Sequence, residues 1–166
     1  MDTKEDIKEF LNDLDNDDLE VRNRARQQLA RLGSNAVSDL IHQLKTDNPR
    51  CRWEATKILG DIHDETAVDA LVEALVDDSI NVHWAATEAL IKYGPGAVLP
   101  LLEGITRHFD SMRFRQGAYH ILHILERFHH LSPEVQEVLD ALRSIEPSVS
   151  APWAAERAIE KIKYQK

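Results

Sequence analysis

The sequence predicts an all-α solenoid of about five helical hairpins, and three observations predict it. The first is the stretch from Ile80 to Gly94, where Val82, Ala86, Ala89, Leu90 and Tyr93 fall on one face of a helix. The second is repetition. An apolar residue followed by a small one at i+4 and an aliphatic one at i+8 occurs as Val21, Ala25, Leu29; as Cys51, Ala55, Leu59; and as Val82, Ala86, Leu90. It recurs as Phe114, Ala118, Leu122 and as Ala151, Ala155, Ile159, so successive markers lie 30, 31, 32 and 37 residues apart. A period of that size belongs to stacked helical hairpins. The third is a shorter amphipathic stretch before each marker helix. Neither helix can bury its stripe alone, so each hairpin must stack on the next. The alanine at a fixed place lets neighbouring backbones approach closely.

The elements follow in order, in one domain over residues 1–166 with repeats at roughly 4–34, 35–64, 65–94, 95–131 and 132–166. Thr3 with Asp6 reads as a capping box, and Ile7, Phe10, Leu11 and Leu14 form the first stripe. Asp13 to Asp18 has the look of a calcium loop. It places Asp18 where that loop needs glycine and Arg24 where it needs glutamate, so it reads as a capped turn. In the second hairpin Val37, Leu40, Ile41 and Leu44 precede Asn48-Pro49, a helix start with proline in the first turn. In the third, Val68, Leu71 and Leu75 precede a helix capped by Asp78 or Ser79 and ended by Gly94 in the left-handed conformation. Gly94-Pro95-Gly96 stops one helix and starts the next, which carries Val98, Leu101, Leu102 and Ile105. The marker helix after it runs from about Asp110 to Phe128 and is longer than its counterparts. Ser132-Pro133 opens the fifth hairpin, with Val135, Val138, Leu139 and Leu142. Ile145 to Pro152 reads as a long loop, so the last hairpin is expected to pack at an altered angle as a C-terminal cap.

Composition narrows the function. Hydrophobic content of 43% supports a core, and the 6% aromatic content suits Ala/Leu helix packing. There is no apolar run near 18 residues and no signal-peptide core after Met1, so no membrane association is expected. The single cysteine excludes an internal disulfide, and a cytoplasmic location is expected. A net charge of −9 repels polyanions and disfavours a nucleic-acid partner. The acidic residues 1–20 and the basic run Lys161–Lys166 each complement the dipole of a terminal helix.

The segments Arg52 to Ile62 and Val82 to Leu90, with their follow-on segments Glu65 to Leu71 and Gly94 to Leu101, resemble HEAT repeats. They most resemble the short-repeat subfamily named for phycobilisome lyases. The likeness runs along nearly the whole chain, strongest in repeats two and three. It implies a right-handed α-α superhelix whose second helices line a concave face.

On that resemblance, offsets two, three, six and ten from each marker face the groove. They are Trp53, Glu54, Lys57, Asp61; Trp84, Ala85, Glu88, Lys92; Gln116, Gly117, His120, Ile124; and Trp153, Ala154, Arg157, Lys161. Trp53, Trp84 and Trp153 share offset two, about 200° from the buried marker. Tryptophan supplies rigid area with a polar N–H, so the row reads either as a recognition surface or as packing between repeats. The partner-binding candidates are Trp53, Lys57, Trp84, Glu88, Gln116, His120, Trp153 and Arg157. His123, Glu126 and His130 fall in one helical sector and have donor types that bind zinc or iron, but Arg127 beside them repels a cation. No metal or other cofactor is expected.

Cys51 occupies a core position, and no phosphate loop, cysteine pair or serine elbow is present, so no catalytic residue is assigned. A di-iron hydroxylase family of HEAT repeats places His-Glu pairs where this chain has Trp53-Glu54 and Trp84-Ala85, so its activity does not carry over. HEAT-like DNA-repair glycosylases use a basic groove, and the acidic balance of this chain argues against that reading. The expected function is a non-catalytic scaffold that binds a protein partner on the concave face, as a monomer or weak homodimer. The alternative implied by the resemblance is a subunit or chaperone of a phycobilin lyase acting on bilin attachment.

Overall fold

The computed structural model describes residues 3–164, without the side chain of Thr3. The Thr3–Asp6 capping box and the final two residues of the basic tail therefore lie outside the described residues. The rest is helical, in five hairpins: α1 (Thr3–Asp13) with α2 (Leu19–Leu32), and α3 (Ser34–Gln43) with α4 (Pro49–Ile62). Then come α5 (Val68–Glu73) with α6 (Ile80–Tyr93), α7 (Val98–Arg107) with α8 (Met112–Phe128), and α9 (Pro133–Leu142) with α10 (Pro147–Tyr164). Short 3-10 turns flank α5 and lead into α7. This is the all-α solenoid that the periodicity predicts.

The helix starts follow from their caps. Asn48 accepts from Arg50 N–H at 2.9 Å and Ser111 accepts from Phe114 N–H at 3.2 Å. Ser79 is the N-cap residue of α6, but its hydroxyl caps nothing; Asp77 Oδ1 instead takes the Ser79 N–H at 2.8 Å. Gly94 ends α6 at φ 60° and ψ −138°, a conformation outside the left-handed helical basin but equally reserved for glycine. The calcium-like stretch is a capped turn. Asp18 accepts from Glu20 N–H at 2.8 Å, and Arg22 donates to the carbonyls of Asn16 and Asp17 at 2.6 and 2.9 Å.

The small residues of the repeat do what their size suggests. Ala25, Ala55, Ala86, Ala118 and Ala155 are all buried, as are the aliphatic residues four on in the first four repeats. The second helices α2, α4, α6 and α8 stack in sequence order. α4 lies close on α6, where a Cβ on Gly60 would stand 2.8 Å from the Ala89 Cβ.

The last hairpin departs from this order. α10 packs along α7 and α9 rather than on α8. Ala151, Ala154, Ala155 and Ala158 form its buried face, and Lys163 Nζ reaches Glu103 of α7 at 2.7 Å. The expected long loop is also shorter than the sequence suggests: Pro147 begins the helix and Pro152 lies within it. Pro147 suits the first turn, where its missing N–H costs nothing. Ser150 then ties that turn to α9, its hydroxyl bonded to the carbonyls of Glu146 and Ala141 at 3.0 and 3.1 Å.

Candidate functional site

The face built by α4, α6 and α8 carries the candidate row. The helix spacing brings offset two of one helix beside offset six. Within α4, Lys57 Nζ sits 3.3 Å from the centre of the Trp53 ring, a cation–π contact on a half-buried indole. Between helices, Trp84 meets His120 of α8 edge-on at 5.9 Å between centroids, and His83 at 5.1 Å. Trp84 stays 46% exposed. Glu88 is exposed beside it and lines a shallow cleft between α4 and α6 with Lys57, Gly60, Asp61, Ala85 and Lys92. Lys92 and Asp61 close its end with an ion pair at 2.7 Å. Gln116 is exposed too, but it borders a different groove, with Met112, Tyr119, Leu142 and Pro147.

Three parts of the expected groove are corrected. Offset three does not face solvent: Glu54, Ala85, Gly117 and Ala154 are all buried. On a stacked helix that offset points at the preceding repeat, as Gly117 does toward His83 and Thr87. Trp153 and Arg157 are exposed on α10, and because α10 lies on α7 they do not continue the row of Trp53 and Trp84. Arg157 instead pairs with Glu137 at 2.9 Å, and Lys161 with Glu134 at 2.5 Å, across the last hairpin. Finally, α8 ends at Phe128 and His129 is extended, so His130 leaves the helical sector of His123 and Glu126. No group of three His, Cys, Asp or Glu residues among the described residues is gathered to hold a metal ion. His123 stacks on Tyr119 at 5.6 Å, its Nδ1 buried without a partner.

Two polar features escape a reading of the apolar stripe. Glu54 is 1% exposed and accepts a two-pronged bond from Arg26 of α2, at 2.9 and 2.8 Å, with Lys57 Nζ at 3.0 Å. Burial outweighs the pull of Glu54 on Lys57 and leaves that amine below the usual lysine range. The second feature sits one residue after each of the first four markers. Arg22, Arg52 and Arg115 each donate to carbonyls of their own hairpin corner, Arg52 to Thr46 and Asp47 at 2.9 and 3.1 Å and Arg115 to Phe109. In α6 the place belongs to His83, buried, with Nδ1 2.8 Å from the Leu75 carbonyl. The vacated corner is held from both sides instead. Arg52 grips the Asp77 carboxylate at 2.8 and 2.9 Å, while Arg113 donates to the carbonyls of Asp77 and Asp78. Val21-Arg22, Cys51-Arg52 and Phe114-Arg115 stood in the sequence as the signal for this row.

Nothing in this arrangement is a nucleophile with a base. Cys51 is buried, and burial, with the charge of Asp15, pushes its thiol up, away from thiolate. No described helix is long and apolar enough to cross a membrane.

Comparison with known proteins agrees with the architecture. A family described as HEAT repeats matches residues 7–91 and 37–123. No curated protein matches the chain. Among solved structures, the complex of CpcE and CpcF of phycocyanin lyase from Nostoc sp. PCC7120 contains a chain with the same fold, at 21% identity and a TM-score of 0.60, over 92% of this chain and 96% of that one.

Proposed function

Since the chain belongs to the HEAT-repeat family, we propose that it is a binding module that holds a protein partner on the solvent-facing side of α4, α6 and α8, the concave face that the repeat resemblance implies. The observation that carries this reading is Trp84. It is a half-exposed indole, steadied edge-on by His120 of the next helix, with exposed Glu88 one turn on. A rigid, part-buried aromatic with its N–H available is the usual anchor of an interface. Trp53 under Lys57 supplies a second, half-buried anchor beside it. The assigned roles are aromatic contact for Trp53 and Trp84, and polar contact for Lys57, Glu88, His120 and, at the edge, Gln116.

The test is capture of interacting proteins by the wild type and by Trp84→Ala, identified by mass spectrometry and followed by titration of the recovered partner. Loss of about 2 kcal/mol or more of affinity with an unchanged melting temperature supports the reading. A large fall in melting temperature with binding intact assigns the indole to packing between repeats and overturns it.

A second reading rests on the neighbour, whose structure is of a complex of two phycocyanin lyase subunits. By it, the chain is a subunit or chaperone of bilin attachment. Change in bilin absorbance on mixing chromophore with the protein supports that reading, and an unaltered spectrum removes it.

A further inference from the structure

We infer that α10 carries a second docking face, separate from the row on α4, α6 and α8, and that its occupant is a basic amphipathic helix of another protein. Ile145, Val149 and Trp153 follow one another at four-residue spacing and are 100%, 55% and 67% exposed. Four-residue spacing puts Val149 and Trp153 on one side of α10, opposite the buried alanines. Apolar side chains this exposed, two on α10 and Ile145 just before its start, mark an interaction surface rather than scattered surface residues.

The fold explains why the face is free. In the first three hairpins the second helix is covered by the next one, but α10 turns its small residues onto α7 and α9 and keeps Val149 and Trp153 outward. Charge selects the occupant. Glu146, Glu156 and Glu160 border the apolar run, all exposed, and none pairs with a cation among the described residues. Arg157 is spoken for by Glu137. A partner helix with leucines on one side and flanking lysines or arginines satisfies both halves of this face, the helix-on-helix mode in which i, i+4 and i+7 anchors meet an apolar surface. A second copy fits badly. Pairing α10 with itself about Trp153 sets Glu160 opposite Glu146, and the copies each carry −9. Bilayers with anionic lipids meet the same carboxylates.

The experiment uses the full chain and two synthetic helical peptides with the same leucine stripe, one flanked by lysines and one by glutamates. Fluorescence anisotropy of each labelled peptide is titrated with wild type, Trp153→Ala, Glu156→Lys/Glu160→Lys, and Trp53→Ala/Trp84→Ala. The expected result is binding of the lysine peptide alone, roughly thirty-fold weaker in Trp153→Ala and in the charge reversal. Binding is unchanged in Trp53→Ala/Trp84→Ala, which separates this face from the one under Proposed function. Equal binding of both peptides, retention by Trp153→Ala, self-association lost in Trp153→Ala, or Trp153-dependent binding to anionic vesicles overturns the proposal. Because Trp153 is exposed, its replacement leaves the circular-dichroism melt as a control for folding.

Discussion

Charged residues hold the hairpin corners and one inter-repeat contact. Glu54 is buried and its charge is balanced by Arg26 and, more distantly from solvent, Lys57. Removing Arg26 leaves the carboxylate with the amine alone, so Arg26→Ala is expected to cost about 3 kcal/mol, as for other broken buried pairs. Glu54→Gln keeps the shape and costs less, since Arg26 is partly exposed and can turn to water. Urea unfolding of both variants checks the order; the reverse order removes the burial argument. Asp77 sets a pH dependence. Burial raises its affinity for a proton, but the Arg52 fork and the Ser79 N–H overcome this and hold it below the usual carboxylate range. Glu73 is held down likewise against its burial, by Arg107 and His108. Both groups are depressed in the fold, so the unfolded chain takes up protons first as pH falls. Their contribution is complete above the ordinary carboxylate pKa, about 4, and is lost as pH drops through their folded values. Thermal melts from pH 6 down to pH 2 are expected to show this loss, and Arg52→Ala to flatten it. Tyr93, pushed up to about 12 by burial and by the charge of Asp64, stays a donor to the carbonyls of Leu59 and Asp64 throughout.

At the scale of helices, the stack depends on close approach. Gly60 costs helix propensity in α4, yet a Cβ there would lie 2.8 Å from the Cβ and 3.2 Å from the Cα of Ala89. Gly60→Ala therefore gains about 1 kcal/mol of propensity and loses about 1–3 kcal/mol to overpacking against α6. A net loss is expected, with part of it restored in the double variant Gly60→Ala/Ala89→Gly; a more stable single variant would sink the close-packing account. The apolar spacing made these helices legible in the sequence because burial alone fixes which positions are aliphatic or small. Spacing could not show which neighbour a helix lies on. Ala151, Ala155 and Ile159 repeat the same offsets as Val82, Ala86 and Leu90, yet the alanines of α10 meet α7 while Ala86 and its neighbours sit within the run of second helices. The offset-three residues failed for a related reason. A wheel gives the angle from the marker but not the angle to a helix on either side, so Glu54 read as groove-facing although its carboxylate is a contact to α2. Trp53, Lys57, Trp84 and His120 keep part of their surface in solvent, as their offsets suggest, although Trp84 and His120 also touch each other across two helices.

Over the whole molecule, stability is expected to be greatest in the middle. In a solenoid each repeat touches only its neighbours, so a central repeat is held from two sides and a terminal one from one side. The fully buried large side chains follow that rule: Ile58, Leu59, Leu71, Leu75, Leu90, Leu101, Leu102, Ile105 and Phe114 belong to hairpins two to four. The first hairpin has Leu14 and Leu29, and the fifth has Leu139 and Val138, beside the alanines of α10 and salt bridges at its surface. Exposed pairs of that kind contribute little, so the fifth hairpin is held chiefly by apolar contact with α7. Leu90→Ala, at the centre, is expected to cost about 2–5 kcal/mol and to weaken α4, α6 and α8 together, because the cavity opens between stacked repeats. Native-state hydrogen exchange followed by mass spectrometry tests the pattern directly. Amides of α4, α6 and α8 are expected to exchange last, those of α1 and the outer end of α10 first, and α9 with the start of α10 between them. In Leu90→Ala the slow set accelerates while α1 keeps its rate, since its opening is already local. Uniform exchange across all ten helices, in wild type and variant alike, would mean that the repeats open as one unit and that the stacking energy is not shared out along the chain as the burial suggests.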